Sequence, residues 1–411
     1  MVYKTYKSWC VACPEGEAFP GTEVRSPFHP LLILQPADPL TSRAIYPITS
    51  LSELDREGPE ALLPPQKVEG SLGDFVERHG ATVLNPRFPK ALSHLEALSH
   101  APRNHLRVTL VGLGDVGGTV LTGLKLLGRE IEEIQIFDPN ENACRRYEME
   151  LNQVLSPEGE PLPRITICPP DRLFDCDLFL FTASRGVPPL GAQGDVRMAQ
   201  FQANRQMLRS YARQARDANF QGLFCQISDP VDHLCRAVFL ESNRDENGNL
   251  DFMGLLPHQI QGFGLGVMAA RACYAARERG ISPDTVRVYG PHGAGLVVAN
   301  APCDGYDPAI SRLLTQDTRT MNLRVRDLGY KPYIAPGLSS ACVSILRLLR
   351  GQHHYGAIPL GGVYFGCESV MTPHGPRIFR ESLHPELLKQ ITAAYQELKD
   401  FSYDAPQPSA P

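Results

Sequence analysis

Arg107-Val-Thr-Leu-Val-Gly-Leu-Gly-Asp-Val-Gly-Gly118, followed by Ile134-Gln-Ile-Phe-Asp138, is the stretch that decides the fold. The apolar run Val108 to Val111 reads as a buried strand, and the turn Gly112-x-Gly114-x-x-Gly117 follows it at once. Residues 119–127 read as a helix, and a second strand ends in an acid about 20 residues beyond the last glycine. This is the order of parts in a dinucleotide-binding βαβ unit. Gly112 permits the tight turn, Gly114 lets backbone approach a pyrophosphate, and Gly117 lets helix and strand pack closely. Asp115 and Val116 complete the turn, whose helix offers unpaired N–H groups and a positive dipole end to the phosphates. Asp138 would accept hydrogen bonds from the adenosine ribose and repel a 2′-phosphate, which favours NAD over NADP.

Composition fits a soluble enzyme with room for two or three domains in its 411 residues. A net charge of −5 gives no electrostatic footprint for nucleic acid. No apolar run approaches the roughly 20 residues needed to span a bilayer. The opening MVYKTYKSWC lacks the apolar core of a signal peptide. Eleven scattered cysteines suit a reducing compartment, so a cytoplasmic location is expected. Cys10-Val-Ala-Cys13 is the one suggestive spacing; no second pair follows and His29 stands alone. Coincidence or a pair of surface thiols is expected there, rather than a metal or redox site. His353, His354 and His374 lie in polar or turn contexts and read as surface residues.

The chain divides into four parts. Residues 1–104 are proline-rich with short apolar runs and read as a small accessory domain or wrapped extension. Residues 105–240 alternate strands with helices, including a long helix over 195–219, which implies a parallel, doubly wound sheet. Residues 241–403 are mixed α+β, with helices near 267–279, 336–349 and 385–401, and residues 404–411 read as a disordered tail.

Three constellations narrow the chemistry. Ser228-Asp-Pro-Val-Asp232 follows a strand ending at Ile227, so it would face the cofactor beyond the strand ends. Gly290-Pro-His-Gly-Ala-Gly295 frames His292 with glycines, exposing an imidazole able to exchange a proton with a hydroxyl while hydride moves. Gly186-Val-Pro-Pro-Leu-Gly-Ala-Gln-Gly194 is a loop with glycine hinges that would close and deliver Arg197 to a substrate.

At these residues, over about 106–402, the chain resembles the lactate/malate dehydrogenase family. Thr182-Ala183 before Gly186-Val-Pro188 is similar to the strand leading into that family's mobile substrate loop. Arg197 and Asn204 keep its spacing between the loop arginine and a cofactor-side asparagine. Ser228-Asp-Pro-Val-Asp232 resembles its Asn-Pro-Val-Asp turn, Gly290-Pro-His-Gly293 its catalytic Gly-Glu-His-Gly, and Gly262-Phe-Gly-Leu-Gly266 its segment before the clamp arginine. The resemblance implies a Rossmann-type sheet followed by an α+β catalytic domain, with NAD as cofactor and a homodimer or homotetramer. It implies His292 as acid/base, Arg197 polarising the substrate carbonyl, and Arg271 clamping a carboxylate. Thr182, Ala183, Asn204 and Ser228 would join the cofactor-binding residues.

The departures are as informative. Where the family places an acid behind its catalytic histidine, on the helix carrying the clamp arginine, this chain has Met268, and Asp229 replaces the family's asparagine. Either Asp229 partners His292, or it faces the substrate and selects an amine or imine, or catalysis is lost. The Pro230 turn is expected to aim Asp229 at the cofactor cleft, which favours the amine reading. The region Val187-Pro-Pro-Leu-Gly191 lacks the arginine that malate enzymes use for a second carboxylate, which favours a monocarboxylate. The alternative to a dehydrogenase is an inactive NAD-binding sensor or scaffold. An NAD-dependent glycosidase of this fold would need a metal set that Cys225 and Cys235 are poorly placed to supply.

Overall fold

The computed structural model describes residues 1–98, 104–156, 159–185 and 196–403, with side chains from 200 onward in the last segment. Residues 186–195, which include the loop read from sequence as closing over a substrate, and the tail 404–411 lie outside the described residues.

The first segment builds a six-stranded sheet. It comprises β1 (Val2–Tyr6), β2 (Trp9–Cys13), β3 (Thr22–Val24), β4 (Leu31–Leu34), β5 (Ile45–Ile48), α1 (Ser71–His79), β6 (Ala81–Leu84) and α2 (Ala91–Leu98). The strand order is β3-β1-β2-β4-β6-β5. Cys10 and Cys13 lie on the fully buried strand β2, so the expected surface thiols are core side chains. Their strand, Trp-Cys-Val-Ala-Cys, is apolar at every position and packs on both faces.

The second segment is the doubly wound unit. It runs β7 (Leu106–Val111), α3 (Asp115–Leu127), β8 (Ile131–Phe137), α4 (Glu141–Asn152), β9 (Arg164–Ile167), β10 (Leu178–Phe181), α5 (Val196–Asp217), β11 (Leu223–Gln226), α6 (Val231–Ser242) and β12 (Ile260–Gly262). These six strands are parallel in the order β12-β11-β10-β7-β8-β9. The order reverses between β7 and β10, so a crevice opens beyond their carboxyl ends. Leu-Phe-Leu-Phe of β10 is buried throughout, as helices on both faces require.

The remainder adds α7 (Leu265–Glu278), β13 (Arg287–Tyr289), β14 (Val297–Ala299), α8 (Pro308–Asp327), α9 (Val343–Leu349), β15 (His354–Leu360), β16 (Val363–Thr372), β17 (Gly375–Ile378) and α10 (Pro385–Lys399). Strands β15 to β17 extend the large sheet to nine by antiparallel pairing. Strands β15 and β16 are joined by a two-residue turn, Gly361-Gly362, both at positive φ. The helix expected over 336–349 begins as a π-turn, Pro336–Cys342, before α9. His354 is buried at 3 % exposure, contrary to the surface position expected of it, because β15 lies inside the sheet.

The amino-terminal segment is docked, with its own strands sharing a core with the dinucleotide unit: Trp9, Leu34 and Phe88 join the cluster containing Phe179, Phe224 and Phe239. Arg236 on α6 donates to the Leu40 carbonyl at 2.9 Å, and Arg380 pairs with buried Glu53. No helix among the described residues is long and apolar enough to cross a membrane.

Candidate active site

The dinucleotide turn is built on close backbone contacts. Gly112 has φ +96°, and a Cβ there would stand 2.6 Å from the Ala183 nitrogen. At Gly117 a Cβ would overlap the Gly112 carbonyl oxygen and crowd the Thr182 hydroxyl at 2.6 Å. Thr182 donates to the Gly112 carbonyl at 2.6 Å, tying β10 to the turn. A Cβ at Gly114 meets nothing within 4 Å, so open space lies above the residue that caps the start of α3. Asp115 is exposed in the first turn and Val116 is partly buried. This cradle, glycine-lined at a helix N-terminus, fits a pyrophosphate.

Asp138 follows β8 as expected. Its carboxylate accepts from the Leu113 N–H at 2.8 Å and the Asn140 N–H at 2.9 Å. It therefore braces the glycine turn while remaining partly exposed at the cleft.

Across the crevice, three segments meet. Asn204 on α5 is fully buried; its amide donates to the Asp229 carbonyl at 2.7 Å and its oxygen accepts from the Arg185 N–H at 2.7 Å. Asn204, read from sequence as a cofactor-side residue, pins the Arg185 backbone to the Asp229 turn. Ser228 is buried and donates to the Ala183 carbonyl at 2.6 Å. Arg197 lies on α5, and its side chain is outside the described residues.

Asp229 turns toward the histidine. Its Oδ1 lies 2.8 Å from His292 Nδ1. This overturns the expectation that the Pro230 turn aims the carboxylate away from His292; Asn204 holds the backbone, and the side chain reaches the imidazole. Asp229 is half exposed, whereas His292 retains 16 %. A second acid, Asp232, is buried in the first turn of α6 and accepts from the His292 backbone N–H at 3.0 Å. Asp232 stood inside the Ser228–Asp232 turn, but its role was not read from sequence.

Burial alone would lower the His292 pKa. The Asp229 charge and hydrogen bond, with Asp232 behind, outweigh that and raise it above the ordinary histidine value, against an opposing contribution from Arg271. Burial raises the Asp232 carboxyl to about 6, despite the bond from His292. Met268 is buried on α7, with its sulfur 3.9 Å from an Arg271 terminal nitrogen. The acid that helix lacks is supplied from the α6 turn.

Arg271 is partly buried, and among the described residues no salt bridge engages it. Burial lowers its pKa, opposed by the Asp229 charge. Gly264, at the start of α7, gives His292 room: a Cβ there would stand 2.9 Å from the histidine Cβ. No cluster of three metal-ligating side chains occurs among the described residues.

Residues 106–251 match the family model described as lactate/malate dehydrogenase, NAD binding domain. An L-lactate dehydrogenase of Staphylococcus haemolyticus is 23 % identical over 324 residues, covering 73 % of this chain and 96 % of the relative. That of Geobacillus thermodenitrificans is 26 % identical over 297 residues, covering 66 % and 88 %. Among solved structures, the minor L-lactate dehydrogenase of Enterococcus mundtii aligns with TM-score 0.59 at 20 % identity, covering 72 % of this chain and 96 % of that one. The malate dehydrogenase of Plasmodium falciparum aligns with TM-score 0.58 at 17 % identity and covers 72 % and 96 %. The structural likenesses establish the shared fold, and the family model identifies residues 106–251 as its NAD-binding domain. With the glycine turn and Asp138 in place, NAD is the cofactor of this site; residues 106–251 are an NAD-binding domain of the lactate/malate dehydrogenase type, and the chain is similar to L-lactate dehydrogenases along most of their length.

Proposed function

We propose that this protein transfers hydride between NAD(H) and a small 2-hydroxy/2-oxo monocarboxylate. The observation that carries the proposal is the Asp229–His292 contact at 2.8 Å. A carboxylate on Nδ1 fixes the tautomer and stabilises imidazolium, leaving Nε2 to exchange the proton. NADH, when bound, supplies the hydride to the substrate carbonyl carbon. His292 Nε2 gives its proton to the carbonyl oxygen, and Arg271 orients the substrate through its carboxylate in a bidentate pair. Arg197 polarises the carbonyl as the loop closes. The absence of an arginine from Val187 to Gly191 supports a substrate with one carboxylate. The inactive-sensor alternative drew its support from the acid missing beside Arg271; Asp229 weakens it.

In this reading the backbone of Gly112, Gly114, Asp115, Val116 and Gly117 receives the pyrophosphate through its N–H groups, and Asp138 receives the adenosine ribose. Thr182, Ala183, Asn204 and Ser228 hold the crevice wall. Asp138→Ala is expected to weaken NADH binding by about 1–3 kcal/mol, through lost charge-assisted hydrogen bonds and a looser Leu113 turn. Fluorescence titration measures this, and equal wild-type affinity for NADPH would contradict the role given to Asp138.

All eleven cysteines are unpaired, which supports a reducing, cytoplasmic setting. Exposed Leu126 and Leu127 on α3, with Met149 on α4, support burial against a second copy in a homodimer or homotetramer. Sedimentation velocity reads that state directly.

A further inference from the structure

We propose that Lys331 is a cofactor-binding residue, a mobile cation that leaves Asp115 to pair with the pyrophosphate of NAD(H). The turn from Gly112 to Gly118 contains an acid and no cation. Asp115 stands immediately after Gly114, above which space is open, at the start of the helix that receives the phosphates. Its carboxylate favours the helix dipole while that end is free. Two phosphate charges arriving beside it meet like-charge repulsion.

The carboxyl-terminal half answers that charge. Lys331 Nζ lies 3.0 Å from Asp115 Oδ2, and among the described residues no other ion pair reaches this turn. The segment bearing Lys331 is held against α3 a few residues on. A Cβ at Gly337 would stand 2.7 Å from the Thr119 side chain and 3.3 Å from the Val116 carbonyl oxygen. The backbone is thus anchored beside the phosphate site while the lysine side chain stays 76 % exposed. An exposed pair of this kind adds little to folding. A four-carbon stem with rotatable donors can, however, move its ammonium from carboxylate to phosphate without backbone motion. Lys331 then serves both states: it neutralises Asp115 in the free protein and offsets the pyrophosphate charge in the complex.

The test is equilibrium binding at low ionic strength for wild type, Lys331→Gln, Lys331→Arg and Asp115→Asn, with NADH, ADP-ribose and adenosine as probes. Lys331→Gln should weaken NADH and ADP-ribose by about tenfold, and the deficit should shrink as added salt screens the charges. Adenosine, which carries no phosphate, should bind both proteins alike. Lys331→Arg should restore most of the affinity, and Asp115→Asn should bind NADH several-fold more tightly than wild type. Unchanged NADH affinity in Lys331→Gln, or an equal loss for adenosine, would overturn the proposal.

Discussion

Replacement of His292 by asparagine is expected to cut turnover by about 10²–10⁴-fold while leaving NADH affinity nearly unchanged. Asparagine preserves the polar volume on the Asp229 side but has no proton to exchange at neutral pH. The adenosine and pyrophosphate contacts proposed above lie elsewhere, at Gly112 to Gly117 and at Asp138, so cofactor binding is expected to have little to lose. Steady-state rates on the accepted oxo acid, with NADH fluorescence titration beside them, separate the two effects. A variant that kept its wild-type rate would remove His292 from the mechanism. A variant that lost NADH binding would show the histidine to be structural.

Asp229→Asn restores the residue that the family carries in this turn, and it is nevertheless expected to slow catalysis by about 10–100-fold. The carboxylate 2.8 Å from Nδ1 favours the imidazolium. The sign follows from protonation. Reduction of an oxo acid needs His292 charged, so its rate falls as pH rises past a pKa that Asp229 holds above the ordinary histidine value. Without the Asp229 charge, burial and Arg271 dominate, and the falling limb moves to lower pH. Asp232 accepts only from the backbone N–H and does not replace the lost ring contact. The pH profile of the variant reads this shift. The competing role, recognition of a cationic amine or imine by the half-exposed carboxylate, predicts otherwise: a raised KM for the amine and better use of plain oxo acids. An unchanged rate and profile would reduce Asp229 to a turn residue.

The dinucleotide half of the fold was legible because its determinants are local. Gly112 needs positive φ, Gly117 has no room for a side chain, and Asp138 ends the next strand, all within one βαβ unit. The dyad was only half legible. Its partners were both in view, but the direction of the Asp229 carboxylate depends on Asn204, the Pro230 turn and the loop bearing His292 meeting in space. Spacing along one segment does not encode that. Helix α8 carried a legible start, Asp307-Pro308, with the Asp307 carboxylate capping Ala309 and Ile310, yet its polar sequence does not announce a buried face. Cys10, Cys13 and His354 were misplaced at the surface because their burial comes from layers packed on them by distant segments. The docking of residues 1–98 has the same origin: Arg236 to Leu40 and Arg380 to Glu53 are long-range contacts without a local signature.

The measurement that bears most directly on the central claim is NADH oxidation by the purified protein against a panel of 2-oxo acids, each with and without added amines. Oxidation with at least one 2-oxo monocarboxylate, abolished in His292→Asn, is the result expected of a dehydrogenase built on the His292–Asp229 dyad. Tight NADH binding with no oxidation by any oxo acid, alone or with amine, would contradict it and leave an NAD-binding sensor in its place.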